Sequence, residues 1–127
     1  LARMLEERGH RFRSSGDTEV VLAAFDEWGV RAALDRFVGM FAFGVWDAAE
    51  RRLVLARDRL GKKPLFVTRQ GEVLAFASQL DALLSIPGLC FTLDRAVLGQ
   101  MIQFGAAHGS DTVLHEVRRI EAGTLQT

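Results

Sequence analysis

Chemistry in this sequence must come from a few side chains. The single cysteine, Cys90, is the first candidate nucleophile. It stands in PGLCFTL between Leu89 and Phe91, with no histidine nearby in sequence and no local cationic cluster to lower its pKa. An unpaired cysteine among apolar neighbours reads instead as a small buried hydrophobe. His10, His108 and His115 show none of the close spacings of a zinc site, and one cysteine cannot make a CxxC pair, so no metal is expected. Gly61, Lys62 and Lys63 invite a phosphate-loop reading, but that motif needs a glycine where Ala56 stands and a serine or threonine where Lys63 stands. Pro64 also keeps a helix from starting there in the usual way. Asp17, in SGDTEV, precedes a helical stripe. Its plainest role is an N-cap accepting hydrogen bonds from the first turn's free amides, worth about 1 kcal/mol. Its sharper role is to present a carboxylate to the ammonium group of an amino-acid ligand; spacing alone favours the cap. Arg57, Asp58 and Arg59, at the end of an apolar run, read as a solvated turn.

These residues must be positioned by helices at both ends of the chain and strands between. Leu1, Met4 and Leu5 begin a helix that Gly9 closes, HRFRS looks extended, and SSGD is a turn. From Thr18 to Trp28, Val21, Ala24, Phe25 and Trp28 make one stripe that Gly29 ends, and Val30 to Phe37 predicts a shorter helix. The period then changes to two. GMFAFGVWD, Gly39 to Asp47, has almost no polar residue and predicts a strand buried on both faces. RLVLARD, PLFVTR and EVLAFAS follow as three further strands, the last two joined at Gln70 and Gly71, and short connections predict an antiparallel sheet. Leu80, Leu83 and Leu84 line a helix broken at Pro87 and Gly88. Asp94 can cap a helix through Phe104 with Val97, Leu98, Met101 and Ile102 inward. The class is α+β, with helices over one sheet face and a further sheet or helices over the other.

Composition narrows the function classes. At 127 residues the chain is the size of one domain or part of one. Sixteen basic residues balance sixteen acidic ones, leaving no excess charge for nucleic acid or an anionic membrane. No apolar run is long enough to span a bilayer, and a cytoplasmic protein is expected. The chain opens in mid-helix without an initiator Met and stops at VRRIEAGTLQT as a strand develops, which predicts a segment truncated at both ends.

HRFRSSGDTEVVL, GMFAFGVWD, LARDRLGKKPLF and RRIEAGTLQT, in this order, resemble the glutaminase domain of asparagine synthetase, the class II glutamine amidotransferase type. The resemblance covers nearly the whole chain. It implies an αββα four-layer sandwich of antiparallel sheets, the N-terminal nucleophile hydrolase type, here truncated. It implies that an N-terminal cysteine attacks glutamine's side-chain amide, with its own α-amino group as base, giving a thioester and ammonia. That cysteine, the arginine that grips the α-carboxylate and the Asn-Gly-Glu oxyanion segment should lie upstream of Leu1, so residues 1–127 hold no catalytic residue and should be inactive alone. Asp17 matches the aspartate that holds glutamine's α-amino group, which reverses the preference for a mere cap. Arg57, Asp58, Gly61 and Pro64 match a structural motif. Asp58 would pair with Arg57 or Arg59 to brace the loop, Gly61 would permit the turn and Pro64 would fix entry into the next strand. A downstream synthetase domain using ATP and Mg would amidate aspartate and would be this segment's partner, with a homodimer among the assemblies allowed. The missing strands should leave apolar sheet surface and an open edge.

The sequence departs from the family pattern in places. Gln79 and Asp81 stand where A-S-E-x-K-A-L is usual, Lys62 and Phe66 where G-I-K-P-L-Y is usual, and Glu121 to Gly123 where a proline-glycine turn is common. Two alternatives remain. One is the glutaminase domain of glucosamine-6-phosphate synthase or a purine amidotransferase, which is not expected to carry R-D-R-x-G-x-K-P-L. The other is a non-catalytic scaffold domain of the same fold.

Overall fold

A computed structural model describes residues 1–127. The chain divides into two compact units, Leu1–Gly39 and Met40–Thr127.

In the first unit, α1 (Ala2–Glu6) packs on α2 (Asp17–Arg36). Gly9, at φ +97°, turns the chain out of α1; its N–H donates to the Glu6 carbonyl and that of His10 to the Leu5 carbonyl. This left-handed closure is what the glycine was expected to supply. The stretch after it, expected to be extended, pairs with no strand and bends at 13–15. Leu5, Ala24, Ala33 and Phe37 are buried, and Phe25 stacks on Phe37. Glu27 draws the chain after α1 onto α2: Arg8 Nη1 donates to its Oε1 at 2.7 Å, and His10 Nε2 lies 3.1 Å from its Oε2. Helix α2 breaks at Gly29 (φ +73°, ψ 161°), as the stripe predicts, and resumes to Arg36. Trp28 lies beside that break, with the guanidinium of Arg36 4.8 Å from its ring centre.

In the second unit, β1 (Ala42–Asp47) pairs antiparallel with β2 (Arg52–Arg57), from Ala42 opposite Arg57 to Asp47 opposite Arg52. The short β6 (Leu125–Gln126) covers the other edge of β2. A second sheet places β3 (Phe66–Gln70) between β4 (Val73–Ala77) and β5 (Val117–Arg119). The four expected strands therefore form two hairpins in two sheets, not one sheet. Residues 58–65 cross between them, because the Asp58 carboxylate and the Arg57 guanidinium gather the backbone there into a knot instead of a hairpin turn.

The two sheets meet face to face. Leu53 and Leu55 of β2, Ala42 of β1 and Val67 of β3 pack around Leu65 and Ile120, while Phe76 of β4 lies over Gly44 of β1. On the opposite face of the second sheet, Phe66, Ala75 and Ala77 pack with Val117, Leu114 and the fully buried Leu83 of α3 (Leu80–Leu84). This unit is thus sheet on sheet on helix, a mixed helix and antiparallel-sheet arrangement in which alternate side chains of β3 serve two cores.

Three burial expectations are corrected. Strand β1 is half-buried, not buried on both faces, and Trp46 is 60% exposed. In α3, Leu83 is buried but Leu84 points out. In α4 (Arg95–Phe104) only Val97 is buried; Leu98 is half-buried, and Met101 and Ile102 are exposed. Five- and ten-residue helices seated by one deep residue each leave the rest of their apolar stripe outside. The expected cap is present: Asp94 Oδ1 accepts from the N–H groups of Ala96 and Val97, and Gly105 closes α4 in the left-handed conformation. No helix is long and apolar enough to cross a membrane.

Candidate functional site

Asp17 is the first residue of α2, not its N-cap; the cap position belongs to Gly16, which has no side chain to offer. The reason lies two residues on. Glu19 Oε2 accepts the backbone N–H groups of Arg13 at 2.9 Å and Ser14 at 3.0 Å, and Ser14 Oγ accepts that of Gly16 at 3.2 Å. Those bonds fold 13–16 against the helix start and begin the helix one residue before the position expected. The Asp17 carboxylate is left exposed and accepts no hydrogen bond from the chain. Helix starts favour negative charge, because the first N–H groups of the helix lack intrahelical partners. An exposed carboxylate there is well suited to hold a small ammonium group.

The 57–65 loop is built differently from a solvated turn. Asp58 is 2% exposed. Its Oδ1 accepts the N–H groups of Leu60 (3.1 Å) and Lys62 (3.0 Å), and its Oδ2 those of Lys63 (3.1 Å) and Phe41 (3.3 Å). Burial works to raise its pKa, but the four amide bonds outweigh that and hold the carboxyl below its ordinary value. Arg57 does not pair with Asp58. Its guanidinium donates to the carbonyls of Lys63 (Nε, 2.7 Å), Ile120 (Nη1, 2.5 Å) and Gly61 (Nη2, 2.5 Å). Of the two partners expected for Asp58, Arg57 does not pair with it; both side chains instead bind backbone of the polarity each needs. Arg57 thereby ties the end of β2 to the segment following β5.

Gly61 sits at φ +60°, and a Cβ there would approach the Arg57 guanidinium at 3.1 Å and the Ala122 Cβ at 3.0 Å. Its glycine is required twice, by backbone conformation and by space. Pro64 is exposed two residues before β3, which starts at Phe66. A depression of about 490 Å³ opens beside the loop, lined by Met40, Phe41, Ala42, Lys63, Pro64 and Ser78.

Cys90 is exposed, contrary to its expected burial. The Gln70 side-chain amide spans its backbone, donating to the Cys90 carbonyl at 2.8 Å and accepting its N–H at 3.0 Å, which holds this segment by its main chain and leaves the thiol outside. No group of three or more His, Cys, Asp or Glu side chains is gathered so as to hold a metal ion.

The whole of residues 1–127 matches the model of the glutamine amidotransferase domain. The chain belongs to that family. It is 38% identical over 112 residues to asparagine synthetase (glutamine-hydrolysing) 3 of Bacillus subtilis, covering 88% of this chain and 18% of that protein. It is 32% identical over 127 residues to asparagine synthetase (glutamine-hydrolysing) 1 of the same organism, covering 100% of this chain and 20% of that one. An Arabidopsis thaliana asparagine synthetase (glutamine-hydrolysing) 2 is 36% identical over 78 residues, 60% of this chain and 13% of its own length. The chain thus spans about a fifth or less of these relatives.

As an amidotransferase domain, it explains some of its departures from the family pattern. The loop uses the N–H of residue 62 and not its side chain, so Lys62 can stand where isoleucine is usual while the knot around Asp58 persists. Phe66 fills the α3 core with its ring, which needs no hydroxyl. Gln79 and Asp81, at the N-cap and in the first turn of α3, are exposed and form no ion pair. The Glu121–Gly123 turn works without proline because Gly123 takes φ +65° and its N–H donates to the Asp58 carbonyl at 2.9 Å. Glu19 escaped the sequence reading, although a glutamate three residues after a helix N-cap is a known signal for a side chain that reaches back.

Proposed function

We propose that this amidotransferase domain is the glutamine-hydrolysing part of an asparagine synthetase-like enzyme, releasing ammonia for the ATP-dependent amidation of aspartate in the cytoplasm. Family membership and the identities to glutamine-hydrolysing asparagine synthetases support this reading. The single observation that carries it to a residue is the unpartnered Asp17 carboxylate at the first turn of α2. In this proposal Asp17 pairs with the α-ammonium of glutamine and so orients the side-chain amide toward a cysteine nucleophile outside residues 1–127. Cys90, exposed and held through its backbone by the Gln70 side chain, is not given that role in this proposal. ATP and Mg do not fit the side chains present, which include neither a phosphate loop nor a carboxylate cluster, and they are assigned to a separate synthetase domain of the same protein. The sheet-on-sheet-on-helix unit supports the inner layers of an αββα sandwich. Homodimerisation is compatible with this scheme and carries no part of it.

The test is Asp17→Asn in the full-length protein. Loss of a charged contact of about 1.5–3 kcal/mol corresponds to a rise in KM for glutamine of about 10- to 150-fold. Synthesis from free ammonia should persist, because ammonia bypasses the glutamine site. Equal losses with both nitrogen sources would instead make Asp17 a structural residue.

A further inference from the structure

Asp17 cannot hold a ligand in register unless the chain leading into α2 is itself fixed, and that chain is intrinsically loose. The segment 14–16 is Ser-Ser-Gly, exposed throughout. Its glycine occupies the N-cap, where a serine, threonine or aspartate would normally accept hydrogen bonds from the first turn. Within that segment the Ser14 Oγ to Gly16 N–H bond, at 3.2 Å, is long for a hydroxyl accepting from an amide. Two shorter bonds come from elsewhere. A single oxygen, Glu19 Oε2, takes the consecutive N–H groups of Arg13 and Ser14. Both are bonds from neutral amides to a carboxylate, the stronger class. Glu19 is one half turn beyond Asp17, so its side chain spans the peptide groups that set where α2 begins.

From this geometry we infer that Glu19 is the positioning residue of the glutamine site. Its Oε2 clamps the backbone of Arg13 and Ser14 and so fixes the direction in which Asp17 presents its carboxylate. The inference rests on the reading of Asp17 given above and deepens it. Glu19 touches no substrate atom; it acts through the backbone on the residue that does. The same bonds, from Ser14 first and Arg13 second, hold the Glu19 carboxyl below its ordinary pKa, so the clamp is charged at neutral pH.

One oxygen makes both bonds, which gives the proposal a specific consequence. A glutamine at position 19 also has one carbonyl oxygen able to accept twice, whereas alanine has none. In the full-length protein, Glu19→Ala should raise KM for glutamine about tenfold, and Glu19→Gln should restore it to within about threefold of the parent, with neutral bonds replacing charge-assisted ones. Ammonia-dependent turnover and the thermal midpoint report whether the fold is intact. In an Asp17→Asn background, Glu19→Ala should add nothing further to KM, because the clamp then positions nothing. Unchanged KM in Glu19→Ala, beside a raised KM in Asp17→Asn, would overturn the inference and leave the reading of Asp17 standing. Unchanged KM in Asp17→Asn would overturn both. Parallel loss of glutamine-dependent and ammonia-dependent activity in Glu19→Ala would reduce Glu19 to a structural role.

Discussion

Asp58 shows how much a single carboxylate can organise without doing chemistry. Four backbone N–H groups converge on it, two on each oxygen, and its own carbonyl accepts two more, from Gly61 and Gly123. Removing the side chain strands four donors in a site where the residue is 2% exposed. Asp58→Ala should therefore cost about 3–5 kcal/mol, the range reserved for breaking buried polar networks. Asp58→Asn is the sharper probe, because its carbonyl oxygen satisfies one pair of amides while its amino group faces the other pair. It should cost about 2–3 kcal/mol, read from the urea midpoint. Lys62→Ile, which leaves the N–H in place, should stay within about 0.5 kcal/mol of the parent. If Asp58→Ala and Lys62→Ile had similar effects, the loop would be held by its side-chain charges and not by the knot.

At the scale of elements, the place where two sheets touch most closely is Gly44 of β1 beneath Phe76 of β4. A Cβ on Gly44 would overlap the Phe76 ring tip and come within 3.1 Å of Leu55 Cδ2. Phe76 is 40% exposed, so its ring can swing away at modest cost. Gly44→Ala should then destabilise by about 1 kcal/mol and Gly44→Val by about 2–3 kcal/mol, with Phe76→Leu relieving much of either in the double variant. A double variant whose losses simply add would mean that the sheets do not meet there. Alternating GMFAFGVWD and RLVLARD made the strands legible, and the stripe Val21, Ala24, Phe25 and Trp28 with Gly29 made α2 and its break legible. Sheet membership was not legible, since the pattern that marks β2 and β3 is the same whether they pair or lie in different sheets. The difference is made by Asp58 and Arg57, whose partners are backbone groups with no mark in sequence. Met101, Ile102 and Leu84 are exposed, which the sequence does not show for a related reason: periodicity shows which face is apolar, not whether another element covers it. Asp17 was legible as a carboxylate at a helix start, and Glu19 carries the sequence signal of a side chain that reaches back, but its partners, the N–H groups of Arg13 and Ser14, are visible only in three dimensions.

For the molecule as a whole, carboxylates held by N–H donors set the response to acid. Glu19, Glu27, Asp58, Asp94 and Glu116 all titrate below their ordinary values of 3.8 for Asp and 4.5 for Glu. The leading cause is a backbone N–H for Glu19 (Ser14), Asp94 (Val97) and Glu116 (Thr92), and the hydrogen bond with His10 for Glu27. For Asp58, burial opposes ionisation and the amides overcome it. A folded pKa below the unfolded one means that the unfolded chain binds protons first on acidification. Each group therefore contributes stability in full above its unfolded pKa, and that contribution is lost as pH falls through the folded pKa. Stability limited by these groups should be level from pH 7 to about pH 5 and decline below about pH 4, with midpoints falling at each step in urea titrations at pH 5, 4 and 3. Asp58→Asn, which cannot ionise at that position, should lose less stability between pH 5 and pH 3 than the parent does, although it starts lower. Added salt should weaken the exposed Arg8–Glu27 pair and leave the Asp58 contribution nearly unchanged, because backbone amides are not displaced by counterions. A midpoint that stayed level down to pH 3, or the same slope in parent and Asp58→Asn, would mean that these carboxylates do not govern the fold's stability in acid.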